Sequence, residues 1–190
     1  MRKHFLLLAL LLMACGTASA QKTHYQGEFQ VGYAFGIGDN KIDRLSIHMI
    51  NGVRFNPYLS TGIGIGIDYY DDHGTSMFSL PLFVNLKGYI PLSKGVSLFA
   101  SFDLGYSVAL KNEEASGKVD YFSYNAKMGM KGLMLTPAIG ASFKVAEQNA
   151  IHLSVGYDIK TATLDVTALD QKASSTLKCN AIGIKMGFTF

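Results

Sequence analysis

The chain has 190 residues, enough for one domain with a sizeable core. Charged residues make up 16% of it and hydrophobic residues 48%, whereas a soluble domain usually carries about 25% charged residues. The formal net charge is +3, and Arg2 and Lys3 supply two of those charges at the N-terminus. The remainder is nearly neutral, so no basic stripe is available for phosphates and a nucleic-acid partner is not expected.

The N-terminus has the pattern of an export signal. Arg2 and Lys3 precede an unbroken apolar run from Phe5 to Ala14, and Ala18-Ser19-Ala20 offers small residues to a signal peptidase. An apolar run of about ten residues is too short to cross a bilayer as a helix. We predict a cleavable signal peptide over residues 1–20 and a β-barrel domain over residues 21–190.

Cys15 gives an alternative processing route. Leu12-Met13-Ala14-Cys15 resembles a lipoprotein box, in which the cysteine would be lipidated. We favour cleavage after Ala20, because Met is uncommon before the small residue of such a box. Cys179 then remains alone, so neither a disulfide framework nor a cysteine-based metal site is expected.

The rest of the chain is organised as alternating segments. Apolar residues recur at every second position, as in a strand with two unlike faces, and no run of eighteen apolar residues occurs. Each segment is about as long as a tilted strand that crosses a bilayer. Eight segments follow this pattern: 29–37, 45–55, 62–69, 78–87, 96–108, 133–144, 151–160 and 181–190.

The connections between these segments alternate in length. Three are short and turn-like, at 56–59, 91–95 and 147–149, whereas four others are longer, at 38–43, 71–76, 112–131 and 166–177. Short periplasmic turns and longer outer loops are typical of an outer-membrane barrel. The pattern therefore places both termini and the short turns on the periplasmic side.

The composition of the two faces distinguishes a membrane barrel from a soluble one such as a lipocalin-like cup. The apolar face is almost free of charge, while the second face is mostly Gly, Ser and Ala with a few charges of both signs. Small residues and paired charges suit the narrow interior of a membrane barrel. We predict an all-β, eight-stranded, antiparallel, up-and-down transmembrane β-barrel. Pro81 and Pro137 count against two strands, unless they mark bulges or strand ends.

The C-terminus carries a resemblance to a known family. Gly187 and Phe188 lead to the terminal aromatic residue Phe190, which resembles the C-terminal insertion signal of outer-membrane proteins. Together with the eight segments, the whole mature chain is similar to the outer-membrane β-barrel domain family, which includes the small OmpX- and OmpA-type barrels. The resemblance implies the fold, a bacterial outer-membrane location and recognition by the barrel assembly machinery. It does not fix activity, because members serve as anchors, adhesins, enzymes and small pores.

Polar residues of the interior register form the first candidate site. We expect them to pair within the lumen as a structural network, since buried charges need partners. A hydrolase triad built on a lumen histidine is the alternative, although an enzyme acting on lipid would have to open towards the bilayer. The residues are His48, Arg54, Asp68, Lys87, Asp103, His152, Asp158 and Lys185.

Three further groups have weaker signals. Gly62, Gly64 and Gly66 mimic a dinucleotide fingerprint, but no helix follows them. The run 71–73 offers metal-ligand types without calcium-loop spacing, and we interpret it as a solvated loop tip. The third outer loop holds residues that favour binding contacts, or else the fifth and sixth strands extend beyond the bilayer and some of these residues belong to an outer aromatic girdle: Tyr121, Phe122, Tyr124, Met128 and Met130.

These observations predict a non-enzymatic integral outer-membrane barrel with a structural or surface-interaction role through its outer loops. Eight strands leave a lumen that side chains can fill, so a narrow pore is the first alternative and a lipid-modifying enzyme the second. We expect no cofactor and no metal. The expected partners are outer-membrane lipids, the barrel assembly machinery and an unidentified extracellular ligand or protein.

Overall fold

The computed structural model describes residues 23–38, 41–72, 75–111, 113–119, 122–129, 131–168 and 171–190. Only the backbone is described for residues 72, 75, 111, 113–119, 122–129, 162, 164–168 and 171–174. The predicted signal peptide and Cys15 lie outside these ranges.

The described residues fold into ten strands. Their bounds are β1 His24–Ile37, β2 Asp43–Asn56, β3 Leu59–Asp72, β4 Thr75–Pro91, β5 Val96–Lys111, β6 Glu113–Val119, β7 Phe122–Gly129, β8 Gly132–Lys144, β9 Ala150–Ala168 and β10 Gln171–Thr189. None of the described residues belongs to a helix long and apolar enough to cross a membrane.

Eight of the strands close into a barrel. β1 to β5 pair in chain order, β5 pairs with β8, β8 with β9, β9 with β10, and β10 returns to β1, with every pair antiparallel. At the closing seam the backbones of Gly27 and Phe190 exchange two hydrogen bonds of 2.8 and 2.9 Å. The predicted eight-stranded antiparallel barrel is confirmed.

The two ends of the barrel differ in how their strands are connected. At the turn end, β2 and β3 are separated only by Pro57 and Tyr58, and the other two connections are also short. At the other end, two predicted long loops are strands instead, and this corrects the sequence interpretation. Residues 112–131 contain the β6–β7 hairpin, and residues 166–177 fall largely within β9 and β10. The correction has a physical basis, because residues 161–168, three of which are threonines, pair with β10, and residues 163–168 pair with β7 as well.

Pro81 and Pro137 lie inside strands, and neither marks a bulge or a strand end. The β3–β4 ladder is interrupted between Ile65↔Leu82 and Asp68↔Ser79, although the register on either side is the same. The β8–β9 ladder is interrupted in the same way beside Pro137. At each proline, the pairing with one of the two neighbouring strands is interrupted. This fits the chemistry of proline, which has no N–H to donate to the ladder.

The two faces of the sheet have opposite character. Outward side chains are large and apolar and remain exposed, for example Ile63 at 69% and Ile139 at 70%, whereas Asp68 inside is fully buried. Three large apolar residues also point inward and pack together: Ile50, Phe83 and Met134. A second inward cluster lies nearer the end that carries the β6–β7 hairpin and contains Ile42, Tyr70, Met77 and Cys179. The lumen is therefore filled by apolar layers as well as by polar ones.

The absence of a side chain at Gly64 makes room for the central apolar layer. A Cβ built on Gly64 would overlap the ring of Phe83, and one built on Gly105 would meet the same side chain and the carbonyl oxygen of Leu82. Gly64 thus leaves room for the Phe83 ring beside the neighbouring strand, room that the Cβ of an alanine would occupy. Gly64 is therefore a small lumen residue within a strand, as the sequence interpretation has it, and not part of a phosphate-binding turn.

Candidate functional site: the charged lumen

Charged side chains fill the lumen in equal numbers of each sign. Among the buried residues that the structure describes, four are acids and four are Lys or Arg. The formal charges of these eight side chains therefore sum to zero. The acids are Glu28, Asp68, Asp103 and Asp158, and the bases are Arg44, Lys87, Lys160 and Lys185.

Asp68 is the centre of a charged network in the half of the lumen nearer the β6–β7 hairpin. Its Oδ2 accepts a hydrogen bond from Lys160 Nζ, and its Oδ1 lies 3.0 Å from His48 Nε2 and 3.7 Å from Arg44 Nε. The Tyr70 hydroxyl donates to Oδ2 over 3.4 Å. One carboxylate thus neutralises part of the charge of two buried cations. Buried cations need such a partner, because they have lost their contacts with water.

Asp158 extends this network to β8. Arg44 Nη2 donates to its Oδ2, and the hydroxyl of Thr136 donates to its Oδ1 over 2.5 Å. Arg44 therefore bridges Asp68 and Asp158, which lie on strands far apart in the sheet. Such a bridge across the lumen ties opposite walls of the barrel together.

Glu28 is the centre of a second network nearer the turn end. Lys87 Nζ donates to both carboxylate oxygens over 2.7 Å, and His152 Nε2 lies 2.8 Å from Oε1. Gln30 Nε2 also donates to Oε1. The Lys87 ammonium lies 4.8 Å from the centre of the Phe99 ring, which in turn meets the His152 ring edge to face at 5.7 Å. Carboxylate and ring together surround the lysine.

A third contact group joins β4, β5 and β10. Asn85 Nδ2 donates to Asp103 Oδ1 over 2.5 Å, and Lys185 Nζ lies 3.5 Å from Asp103 Oδ2. Asp103 and Lys185 thus place one further pair of opposite charges across the lumen.

The structure places the eight predicted lumen residues in two locations. Seven of them are buried in the three groups above. Arg54 instead lies at the turn end, where its Nε and Nη2 donate to the carbonyl oxygens of Asn56 and Pro57 over 3.2 and 2.9 Å and its guanidinium covers Tyr89 at 4.1 Å. Sequence reasoning omitted Glu28, Arg44 and Lys160 as network members. Their positions follow the same every-second-residue register, which would have identified them.

The other predicted site residues lie elsewhere. Tyr121 and Met130 are outside the described residues, while Phe122, Tyr124 and Met128 belong to β7 by their backbone. Asp71 is exposed at the end of β3, and His73 is outside the described residues. At the C-terminus, Gly187 faces His152, and the rings of Phe188 and Phe190 stack with centroids 6.3 Å apart on the barrel exterior.

The contacts of the two histidines are those of an ion-pair network. His48 contacts Asp68, which also binds Lys160, and His152 contacts Glu28, which also binds Lys87. A triad would need a carboxylate that orients the histidine and a nucleophile beside it, but here each carboxylate also neutralises a lysine. In the described part of the chain, no group of three or more His, Cys, Asp and Glu residues is arranged to hold a metal ion.

A closed antiparallel barrel with an apolar exterior and a charge-balanced interior defines a class, the integral β-barrels of bacterial outer membranes. A model of the outer membrane protein beta-barrel domain family matches residues 5–190, and the chain belongs to that family. The protein is thus a bacterial outer-membrane barrel. No curated protein matches its sequence significantly.

Solved structures of small outer-membrane barrels share the fold. Neisserial surface protein A superposes with a TM-score of 0.62 at 10% identity, covering 89% of this chain and 98% of that one. OprG from Pseudomonas aeruginosa gives 0.57 at 14% identity, with 86% and 94% covered. The outer membrane protein AlkL, determined in lipid bilayers, gives 0.54 at 10% identity, with 92% of each chain covered.

Proposed function

We propose that the protein is a non-conducting, non-enzymatic outer-membrane anchor whose outer strands serve a structural or surface-interaction role. The observation that carries the proposal is the contrast between a lumen filled along its length and a sheet that continues beyond one end of the barrel. The apolar exterior contacts outer-membrane lipids, and the partner of the outer sheet is an extracellular ligand or protein.

Successive layers support the non-conducting part of the proposal. From the turn end outward, the lumen holds the Glu28 network, the apolar layer around Phe83, the Asp68 network and the cluster around Tyr70. The His48 and Phe83 rings lie 5.3 Å apart, so one layer packs on the next. A water-filled path needs a gap through every layer, and eight-stranded barrels are narrow enough for side chains to fill.

The outer sheet supports the interaction part of the proposal. β9 and β10 are both 19 residues long and remain paired up to Ala168↔Gln171, and β7 adds to β9 with β6 beyond it. Within the described residues, β6 pairs only with β7, and β1 pairs with β10 only from Asn180 onward. Over the described residues the sheet therefore ends in two backbone edges, β6 and residues 171–177 of β10. Unpaired edges can accept an added strand from a partner.

Cysteine labelling on intact cells tests whether this sheet is displayed outside. Ser116→Cys lies in β6, whereas the control Ser93→Cys lies in a turn at the opposite end. A membrane-impermeant maleimide is expected to label the first variant and leave the second unlabelled until the outer membrane is opened. The unchanged chain is the blank, since Cys179 is buried. Labelling of Ser93→Cys with no labelling of Ser116→Cys would reverse the orientation and contradict the proposed role.

The C-terminal residues Gly187, Phe188 and Phe190 are the proposed contact for the barrel assembly machinery. β10 carries them and closes the barrel against β1, so this strand is needed at the last pairing step. Phe190 is 40% exposed on the exterior while its backbone pairs with Gly27. One part of its ring lies over Gly27 and the rest is exposed for recognition, while the backbone hydrogen bonds involve no ring atom.

Phe190→Ala is expected to lower the amount of folded barrel in cells several-fold while changing the stability of refolded protein by about 1 kcal/mol or less. The reason is that the backbone bonds to Gly27 survive the substitution. Heat-dependent gel migration measures both quantities, in cell envelopes and after refolding in detergent. Ile184→Ala, an outward residue of the same strand at 46% exposure, is the control. Equal cellular amounts for both variants would remove the assembly role of Phe190.

A further inference from the structure

An open pocket of about 470 Å³ occupies the turn end of the barrel. Its walls come from the first residues of β1, the β2–β3 turn and the two other short connections, so it lies at the opposite end from the outer sheet. Volumes of roughly 300–1,000 Å³ are usual for small-molecule sites. The pocket therefore has room for a compact ligand that arrives from the periplasmic side.

The pocket wall carries an excess of positive charge. Arg54, Lys94 and Lys144 line it, and Glu147 is the one acidic side chain among the residues that do so. This excess contrasts with the interior of the barrel, where the structure describes four buried acids and four buried bases. Cations clustered around a concave site raise the local concentration of anions.

Gln26 gives the floor of the pocket a different chemistry. The side chain is 7% exposed, its Nε2 donates to the Tyr89 hydroxyl over 3.3 Å, and its buried Oε1 has no hydrogen-bond partner among the described atoms. A buried acceptor without a donor costs free energy. The floor thus needs an N–H or O–H donor, whereas the wall above it needs an anion.

The pocket is closed on its inner side. Two residues further along β1, Glu28 is held by Lys87 and His152, and the Tyr89 ring packs on Phe99 at 6.0 Å. A ligand therefore enters and leaves from the turn end, with its polar donor first and its anionic groups towards the rim.

We propose that this pocket binds a short acidic peptide, whose N–H groups donate to Gln26 and whose carboxylates lie against Lys94 and Lys144. A peptide meets both requirements, because it carries backbone donors and free carboxylates in one compact molecule. Arg54 contributes charge while its two bonds to Asn56 and Pro57 hold the turn. The proposal is independent of the outer sheet.

Isothermal titration of the full barrel in zwitterionic detergent tests the site with the tripeptide Glu-Ala-Glu as probe. Lys94→Gln/Lys144→Gln is expected to weaken binding by about tenfold, equivalent to about 1.4 kcal/mol. Lys41→Gln/Lys131→Gln removes the same charge at exposed positions of the other end and is expected to leave the affinity unchanged. Glu-Ala-Glu is also expected to bind more tightly than Lys-Ala-Lys.

A second variant separates a peptide site from a simple anion site. Gln26→Leu is expected to weaken binding of the tripeptide and to leave binding of inorganic sulfate unchanged, because sulfate at neutral pH carries neither an N–H nor an O–H donor. Three results would each overturn the proposal: equal binding of Glu-Ala-Glu and Lys-Ala-Lys, equal affinity of the two double-lysine variants, or equal weakening of sulfate and tripeptide binding by Gln26→Leu.

Discussion

Asp68→Asn is expected to lower the free energy of unfolding of the barrel by about 3–5 kcal/mol, the range for breaking a buried ion pair on one side. The substitution keeps the shape of the side chain and removes the charge that neutralises Lys160 and Arg44. Both cations are nearly inaccessible to water at 2% and 3% exposure. They would then remain buried with a neutral amide in place of their shared carboxylate.

Urea titration followed by heat-dependent gel migration measures this loss. Asp71→Asn is the matched control, because Asp71 lies in the same strand three residues further and is exposed. We expect its midpoint to stay within the range of ordinary surface substitutions, about 0.5 kcal/mol. Equal midpoints for the two variants would show that the Asp68 network does not stabilise the barrel.

Phe83→Ala is expected to be similarly destabilising, by about 3–5 kcal/mol, the range for deleting a buried aromatic ring. Phe83 is 3% exposed and forms the central layer with Ile50 and Met134. Its ring also packs against the backbone at Gly64. Removing it leaves a cavity between two charged networks, and the same urea titration measures the cost.

Gly64→Ala supplies the second half of a double-mutant cycle. Alone it is expected to cost about 1–3 kcal/mol, because the new Cβ overlaps the Phe83 ring. Combined with Phe83→Ala it is expected to cost close to nothing further, since the overlapping ring is gone. Strict additivity of the two free-energy changes would show that the ring does not lie against Gly64.

The barrel could be predicted from the sequence because successive side chains of a strand point to opposite faces. Where one face meets lipid and the other the lumen, apolar residues must recur at every second position. The same register also predicted most of the buried network, including Asp68 and Lys87. It did not predict the inward position of Phe83 and Met134. Their apolar character suits the lipid face, and only their parity with Asn85 and Thr136 indicates the lumen.

The strands within residues 112–131 and 166–177 were assigned mainly to loops for a different physical reason. Both segments show weak alternation, as expected of strands that extend past the barrel wall and have no lipid face to select apolar residues. These strands are stabilised by pairing with one another, for example β7 with β9. Contacts between residues so far apart in the chain leave little pattern in the local sequence. The pocket at the turn end was missed because it combines residues from β1, β2 and all three short turns, which the sequence separates widely.

Conductance in planar lipid bilayers measures most directly whether the lumen is closed. Purified protein that shows heat-dependent migration, and is therefore folded, is expected to insert and leave the baseline current flat, because charged and apolar layers alternate along the lumen. The heat-denatured sample is the blank for leakage caused by detergent. Reproducible stepwise channel openings from the folded sample would contradict the closed lumen and favour a narrow pore.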